Sequence, residues 1–133
     1  MCLATVDSKP RKVKNIAYKV MAIDCKNNLI TECQGLRKSR PMGEWLDEAD
    51  YAYVHTSDTL KTRGAWTIPS KYPRGWHCFV SKKQADEWHN DTPFERVVKV
   101  EMSDILATGY QHVGWITASV VVCRKIKILE ICK

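Results

Sequence analysis

Six side chains in three separate segments have the chemistry needed to bind an anionic ligand. They are Arg74, Trp76, His77, Tyr110, Gln111 and Arg124. Arginine holds a phosphate through paired hydrogen bonds, tryptophan and tyrosine rings stack on a base, and histidine and glutamine hydrogen-bond to a base or sugar. The sequence therefore predicts a non-catalytic site for a nucleotide-like ligand, with no catalytic residue, no metal and no cofactor.

Two glycine-containing segments are expected to present these groups. Gly75 stands at the entry to a strand, where it permits close backbone approach to a phosphate. Gly109 and Gly114 bound a predicted polar loop that holds Tyr110 and Gln111. The same residues are also compatible with ordinary structural roles, as a strand histidine, a polar turn and core aromatics.

Catalytic motifs are largely missing from the chain. No phosphate-binding loop, dinucleotide fingerprint, His-Glu-x-x-His or Gly-x-Ser-x-Gly occurs in it. His55-Thr56-Ser57 has the form used by two-histidine phosphoesterases, but those enzymes need a second copy. A nucleotide phosphoesterase is therefore the weaker alternative, and it would require turnover.

The cysteines are expected to be free thiols. The six stand at positions 2, 25, 33, 78, 123 and 132, without a Cys-x-x-Cys pair. That scatter lacks the spacing of a structural zinc site, and no secretion signal suggests an oxidising compartment.

A net charge of +6 favours an anionic partner. Five basic residues and no acidic residue lie between Lys9 and Lys19, and three more lie in Arg37–Arg40. These segments suggest an alternative function, a protein inhibitor that docks on an acidic or nucleic-acid-binding surface of a host protein. They also fit a solvated face, and direct binding of nucleic acid is not favoured.

The elements that must position these groups indicate an α+β fold. The prediction is a mainly antiparallel sheet covered on one face by one helix, with long aromatic loops, in a single domain spanning 1–133. Strands are expected over 16–23, 29–31, 75–80, 96–102 and 118–131, with a bulge near Leu129. Ser81 and Gln84 form a capping box for a helix to about Asn90, and a short helix is expected over 44–53.

The segments between these elements are expected to be loops. Residues 56–74 contain Gly64, Pro69 and Pro73 around Trp66 and Tyr72, and residues 103–117 contain Gly109 and Gly114. No apolar run is long enough to span a bilayer, and the first residues do not form a signal sequence. The sequence therefore predicts a cytoplasmic protein without membrane contact, and it leaves the oligomeric state open.

Three short segments and the Met-Cys-Leu start resemble small, largely uncharacterised bacteriophage-type proteins. The segments are Gly75-Trp76-His77-x-Phe79, Ala107-Thr108-Gly109-x-Gln111 and Val120-Val121-Val122-x-Arg124-x-Ile126. The resemblance covers roughly the last 60 residues and the first few. It implies a small counter-defence protein in the cytoplasm of the host cell, which sequesters a signal nucleotide or blocks a defence protein.

Overall fold

The computed structural model describes residues 3–7, 9–24, 26, 28–33, 36–39, 41–47, 53–55, 61–62, 65–66, 71–89, 93–113 and 116–132. The strands are β1 Thr5–Val6, β2 Ile16–Ile23, β3 Leu29–Cys33, β4 Leu36–Ser39, β5 Trp45–Asp47, β6 Tyr53–His55, β7 Lys61–Thr62, β8 Ala65–Trp66, β9 Lys71–Pro73, β10 Trp76–Phe79, β11 Glu95–Val113 and β12 Ile116–Ile131. The helix is α1 Lys82–His89. The α+β class is therefore confirmed.

An eight-stranded antiparallel sheet forms the centre of the molecule. Its order is β1-β11-β12-β10-β2-β3-β4, with β5 paired to β12 beyond the end of β10. A second set of pairings joins β2 directly to β11, from Glu95 opposite Ala22 to Glu101 opposite Ile16. The strands β2, β11, β12 and β10 therefore form a closed circuit of hydrogen-bonded neighbours.

The β11–β12 hairpin contains the two longest strands of the sheet, of 19 and 16 residues. Val120, Val121 and Val122 are fully buried, because β12 has β11 on one side and β10 on the other. The predicted bulge is confirmed: Val100 pairs with Ile128 and Lys99 with Glu130, which leaves Leu129 unpaired. A second shift in the β11–β12 register lies between Ile105 and Ala107, where an irregularity of this kind bends the strand.

Two core clusters lie on opposite faces of the sheet, because successive strand residues point in opposite directions. The first core cluster includes Trp76, Cys78, Val121 and Cys123, whereas the second includes Phe79, Val120 and Val122. The helix α1 belongs to the second face, where Ala85 is fully buried. The prediction that one helix covers one face of the sheet is confirmed.

Two local predictions were wrong. Residues 45–47 form strand β5 and not a helix, since Leu46 pairs with Ile126 and buries its side chain. The supposed loop over 103–117 is mostly strand: β11 continues to Val113 and pairs with β12 throughout. Gly109 lies within β11 and permits close packing of β1, because a Cβ on it would collide with the carbonyl oxygen of Thr5, whereas Gly114 lies outside the described residues.

The aromatic segment over 56–74 lies partly outside the described residues. Within it the structure gives the short strands β7, β8 and β9, and Tyr72 of β9 is buried in the second core cluster. Cys78, Cys123 and Cys132 are free thiols; the side chains of the other three cysteines are outside the described set. No helix in the described part of the chain is long and apolar enough to cross a membrane.

Candidate ligand-binding site

The strand register separates the predicted site residues. His77 lies opposite Val122 on one side of β12, whereas Gln111 lies opposite Ala118 on the other side. Four residues along β12 correspond to about 13 Å. The six side chains therefore do not line one compact pocket, and each has its own surroundings.

Trp76 belongs to the first core cluster. Its indole Nε1 donates to the carbonyl oxygen of Leu46 at 3.2 Å, and the ammonium of Lys19 lies 5.6 Å from its ring centroid. The ring is 3% exposed. Its surroundings are those of a packed core tryptophan.

His77 lies on the opposite face in a hydrogen-bonded chain. Nδ1 is 3.2 Å from the carbonyl oxygen of Gly75, and Nε2 is 3.0 Å from the hydroxyl of Tyr72. That hydroxyl accepts from the backbone amide of Leu3 at 2.9 Å. Because the carbonyl can only accept, Nδ1 carries the proton and the Tyr72 hydroxyl donates to Nε2.

Burial keeps this imidazole neutral. Desolvation, with a smaller contribution from the nearby charge of Lys19, lowers the pKa of His77 from 6.5 to about 3. Both ring nitrogens are already hydrogen-bonded within the protein. His77 is therefore not placed as a general base, which disfavours the phosphoesterase alternative at this position.

Tyr110 is held by a polar network that the sequence did not reveal. We call it the Arg11 clamp; its members are Asp7, Arg11, Thr108, Tyr110 and Ser119. The guanidinium lies 4.6 Å from the Tyr110 ring centroid, and Nη1 donates to the Tyr110 hydroxyl at 3.2 Å. Tyr110 remains 37% exposed.

The remaining donors of Arg11 are directed to the sheet and to Asp7. Nε donates to the Asp7 carboxylate at 2.7 Å, and Nη2 donates to the Ser119 hydroxyl at 2.8 Å and to the Gly109 carbonyl at 3.2 Å. The backbone amide of Arg11 donates to the hydroxyl of Thr108 at 2.9 Å. The only sequence signal for this clamp is the Asp7–Arg11 spacing, since its other partners lie about a hundred positions away along the chain.

Gln111 has an unused hydrogen-bond acceptor. The residue is 6% exposed, and its Oε1 has no hydrogen-bond partner within the described part of the chain. Its position opposite Ala118 and two residues after Gly109 places it on the face of the second core cluster. Tyr110, the preceding residue, points to the opposite face, so one flat ring cannot contact both side chains.

The two arginines differ in their surroundings. Arg124 Nε donates to the Asp47 carboxylate at 3.2 Å, where both side chains are about one-third exposed. Arg74 is half-buried between β9 and β10, immediately before Gly75. A Cβ on Gly75 would lie 2.5 Å from the carbonyl oxygen of Cys123, so close backbone contact with β12 accounts for this glycine.

Comparison with protein-family models, curated proteins and solved structures finds no match to this chain. The resemblance to bacteriophage-type proteins consequently stays a prediction.

Proposed function

We propose that the protein is a non-catalytic binding protein for an anionic, nucleotide-derived ligand, acting in the phage counter-defence setting that the sequence resemblance implies. The proposed base contact is Gln111, near the end of β11. The net charge of +6 supports an anionic ligand, because it raises the local concentration of anions around the molecule.

The unpartnered Oε1 of Gln111 carries this proposal. A buried acceptor without a partner costs roughly 1–3 kcal/mol, so such groups are rare in folded proteins. An N–H group of a nucleobase would satisfy this acceptor and recover that cost on binding. Access to Oε1 requires neighbouring side chains to move apart, and the binding free energy has to supply that opening.

Tyr110 has a different role in this proposal. Its ring makes a cation–π contact with the guanidinium of Arg11, and its side chain points away from that of Gln111. We therefore assign the base contact to Gln111 and the anchoring of the N-terminal segment to Tyr110. Arg74 and Arg124 are retained as candidate phosphate contacts.

Isothermal titration calorimetry with a panel of cyclic and linear nucleotides tests the proposal. We expect one nucleotide class to bind, and Gln111→Leu to weaken that binding at least about tenfold, the equivalent of one lost hydrogen bond in a buried site. Ligand recovered from denatured protein should be chemically unchanged. The matched control is Tyr110→Phe, which removes only a hydroxyl of the clamp and should bind normally.

The stability of the same variant separates a lost contact from a damaged fold. Without ligand, Gln111→Leu should raise the free energy of unfolding by about 1 kcal/mol, because an unsatisfied acceptor is replaced by an apolar group. The absence of nucleotide binding by the wild type, or normal binding by Gln111→Leu, would refute the proposal.

A further inference from the structure

Three exposed lysines lie in the segment between β1 and β2. We call Lys9, Lys12 and Lys14 the basic ridge. No ion pair joins any of them to a carboxylate of the residues that the structure describes. Asp7, the acidic residue at the start of this segment, is already bound by Arg11 and Thr108.

The segment alternates as a strand does, although none of the strands that the structure describes pairs with it. Arg11 turns inward to the clamp and Val13 packs against the first core cluster, whereas Lys12 and Lys14 are exposed. Alternation in an extended chain places the two exposed ammonium-bearing side chains on one side, with their Cα atoms about 7 Å apart.

Anchors on both sides hold this arrangement in place. The Asp7 amide donates to the Thr108 carbonyl at 2.9 Å, the Arg11 clamp follows, and the Asn15 carbonyl accepts from the Met102 amide at 2.6 Å. Pro10 further restricts the backbone between the first two anchors. The cations are therefore presented by an ordered backbone, which lowers the entropy cost of binding.

We propose that the basic ridge docks an extended acidic segment of a partner protein. Lys12 and Lys14, two residues apart on one side of an extended chain, match carboxylates that recur along an extended acidic segment, and charge complementarity fixes the class of partner. This surface goes beyond the nucleotide site proposed above and does not include Gln111.

Single-stranded nucleic acid is the less suitable occupant. Proteins that bind it combine cations with aromatic rings on which bases stack. Tyr110 is the aromatic residue of the adjoining clamp, and its ring already contacts the Arg11 guanidinium, which lies 4.6 Å from the ring centroid. A polyanion that needs no stacking surface is therefore favoured.

The second basic segment of the sequence does not extend this surface. The strand β4 pairs with β3, which joins β2 at Ala22 and Ile23, whereas the ridge precedes β2 at Ile16. Six residues of strand separate the two places by about 20 Å. The proposal consequently concerns the ridge alone.

Fluorescence anisotropy with a labelled glutamate-rich peptide tests the ridge, and a labelled oligothymidylate of equal charge serves as the competing probe. The test variant is Lys12→Gln with Lys14→Gln, and the matched control is Lys26→Gln with Lys83→Gln, which removes the same charge from exposed positions elsewhere. We expect the ridge variant to bind the peptide about tenfold more weakly and the control to bind like the wild type. Both variants should keep the wild-type melting temperature.

Three results would overturn the proposal. They are the absence of peptide binding by the wild type, equal weakening in the two variants, and ridge-dependent binding of the oligonucleotide that is tighter than that of the peptide. Gln111→Leu should leave peptide binding intact, and the ridge variant should leave nucleotide binding intact. Failure of the ridge proposal is therefore distinguishable from failure of the proposed nucleotide site.

Discussion

The hydroxyl of Tyr72 lies 3.0 Å from Nε2 of His77, and the same hydroxyl accepts from the amide of Leu3. One buried phenol thus joins β9, β10 and the residue that leads into β1. Burial keeps the imidazole of His77 neutral, and in this state Nε2 accepts from the Tyr72 hydroxyl.

Acidification should destabilise the protein through His77. Its pKa is 6.5 ordinarily and about 3 in the folded protein, so the unfolded chain takes up the proton first as the pH falls. The contribution of neutral His77 to the free energy of unfolding is therefore fully present above about pH 6.5, and it is lost as the pH falls toward 3. We expect a loss of about 2 kcal/mol between pH 7 and pH 5, measured by urea denaturation.

The variant His77→Gln provides the control for this pH dependence. It lacks an imidazole and should be less stable at pH 7, with a flatter dependence of unfolding free energy on pH in the same interval. If its slope equalled that of the wild type, another group would be responsible for the acid sensitivity.

Substitution of Arg11 by lysine should loosen the N-terminal segment. Lysine keeps the charge but cannot reach Asp7, Ser119 and the Gly109 carbonyl at once, because it lacks the planar fork of donors. We expect a loss of roughly 2 kcal/mol in unfolding free energy. Amide hydrogen exchange should accelerate over residues 9–15, whereas Lys12→Gln should leave it unchanged.

Gly109→Ala should detach β1 from the sheet. The added methyl group would overlap the Thr5 carbonyl oxygen, and overpacking of this kind costs about 1–3 kcal/mol. The Asp7 amide, which donates to the Thr108 carbonyl, should lose protection from exchange. As a comparison, Gly43→Ala has open space but a φ of 77°, so it should destabilise without affecting Asp7.

Ser81→Ala should cost about 1 kcal/mol, since Ser81 directly precedes the first residue of α1 and a serine there accepts from an otherwise unpaired helical amide. Ser81→Asp should retain most of the stability because it can serve as the same cap. Thermal denaturation measures both variants, and an unchanged midpoint in Ser81→Ala would mean that the hydroxyl makes no such contact.

Elements with a strong local pattern were predicted correctly. The alternation from Val98 to Met102 identified the start of β11, and three consecutive valines identified the central part of β12. The strands β2 and β3 also followed from their apolar patterns, and Asp24 completes the turn between them by accepting from the amides of Lys26 and Asn28. In each case the signal lies within a few residues of the structure that it specifies.

Long-range contacts could not be predicted from the sequence in the same way. Gly109 was interpreted as a loop residue because glycine favours turns, but its role is to let β1 approach closely. Gln84 was expected to reach back to the Ser81 amide; its side-chain carbonyl instead accepts from the amide of Ser119, which lies 35 positions away. The Arg11 clamp was missed for the same reason.

The candidate site shows most clearly the difference between what local sequence patterns predict and what long-range contacts determine. Sequence reasoning selected residue types that could bind an anion, and the strand predicted over 75–80 already places Trp76 and His77 on opposite faces. It could not show that both side chains are buried. The unpartnered Oε1 of Gln111 is a property of its surroundings, so no single-residue pattern reveals it.

The closed circuit of β2, β11, β12 and β10 has a consequence for how fast the chain folds. The pairing of Glu95 with Ala22, like that of Thr5 with Tyr110, joins residues that are far apart in the sequence, so a long loop has to close before either contact can form. Among the four pairings of this circuit, only that of β11 with β12 joins strands that are adjacent in the sequence. We therefore expect this hairpin to form first and β2 to close the circuit afterwards. High contact order of this kind places refolding in the range of milliseconds to seconds, slower than that of helical proteins of equal length.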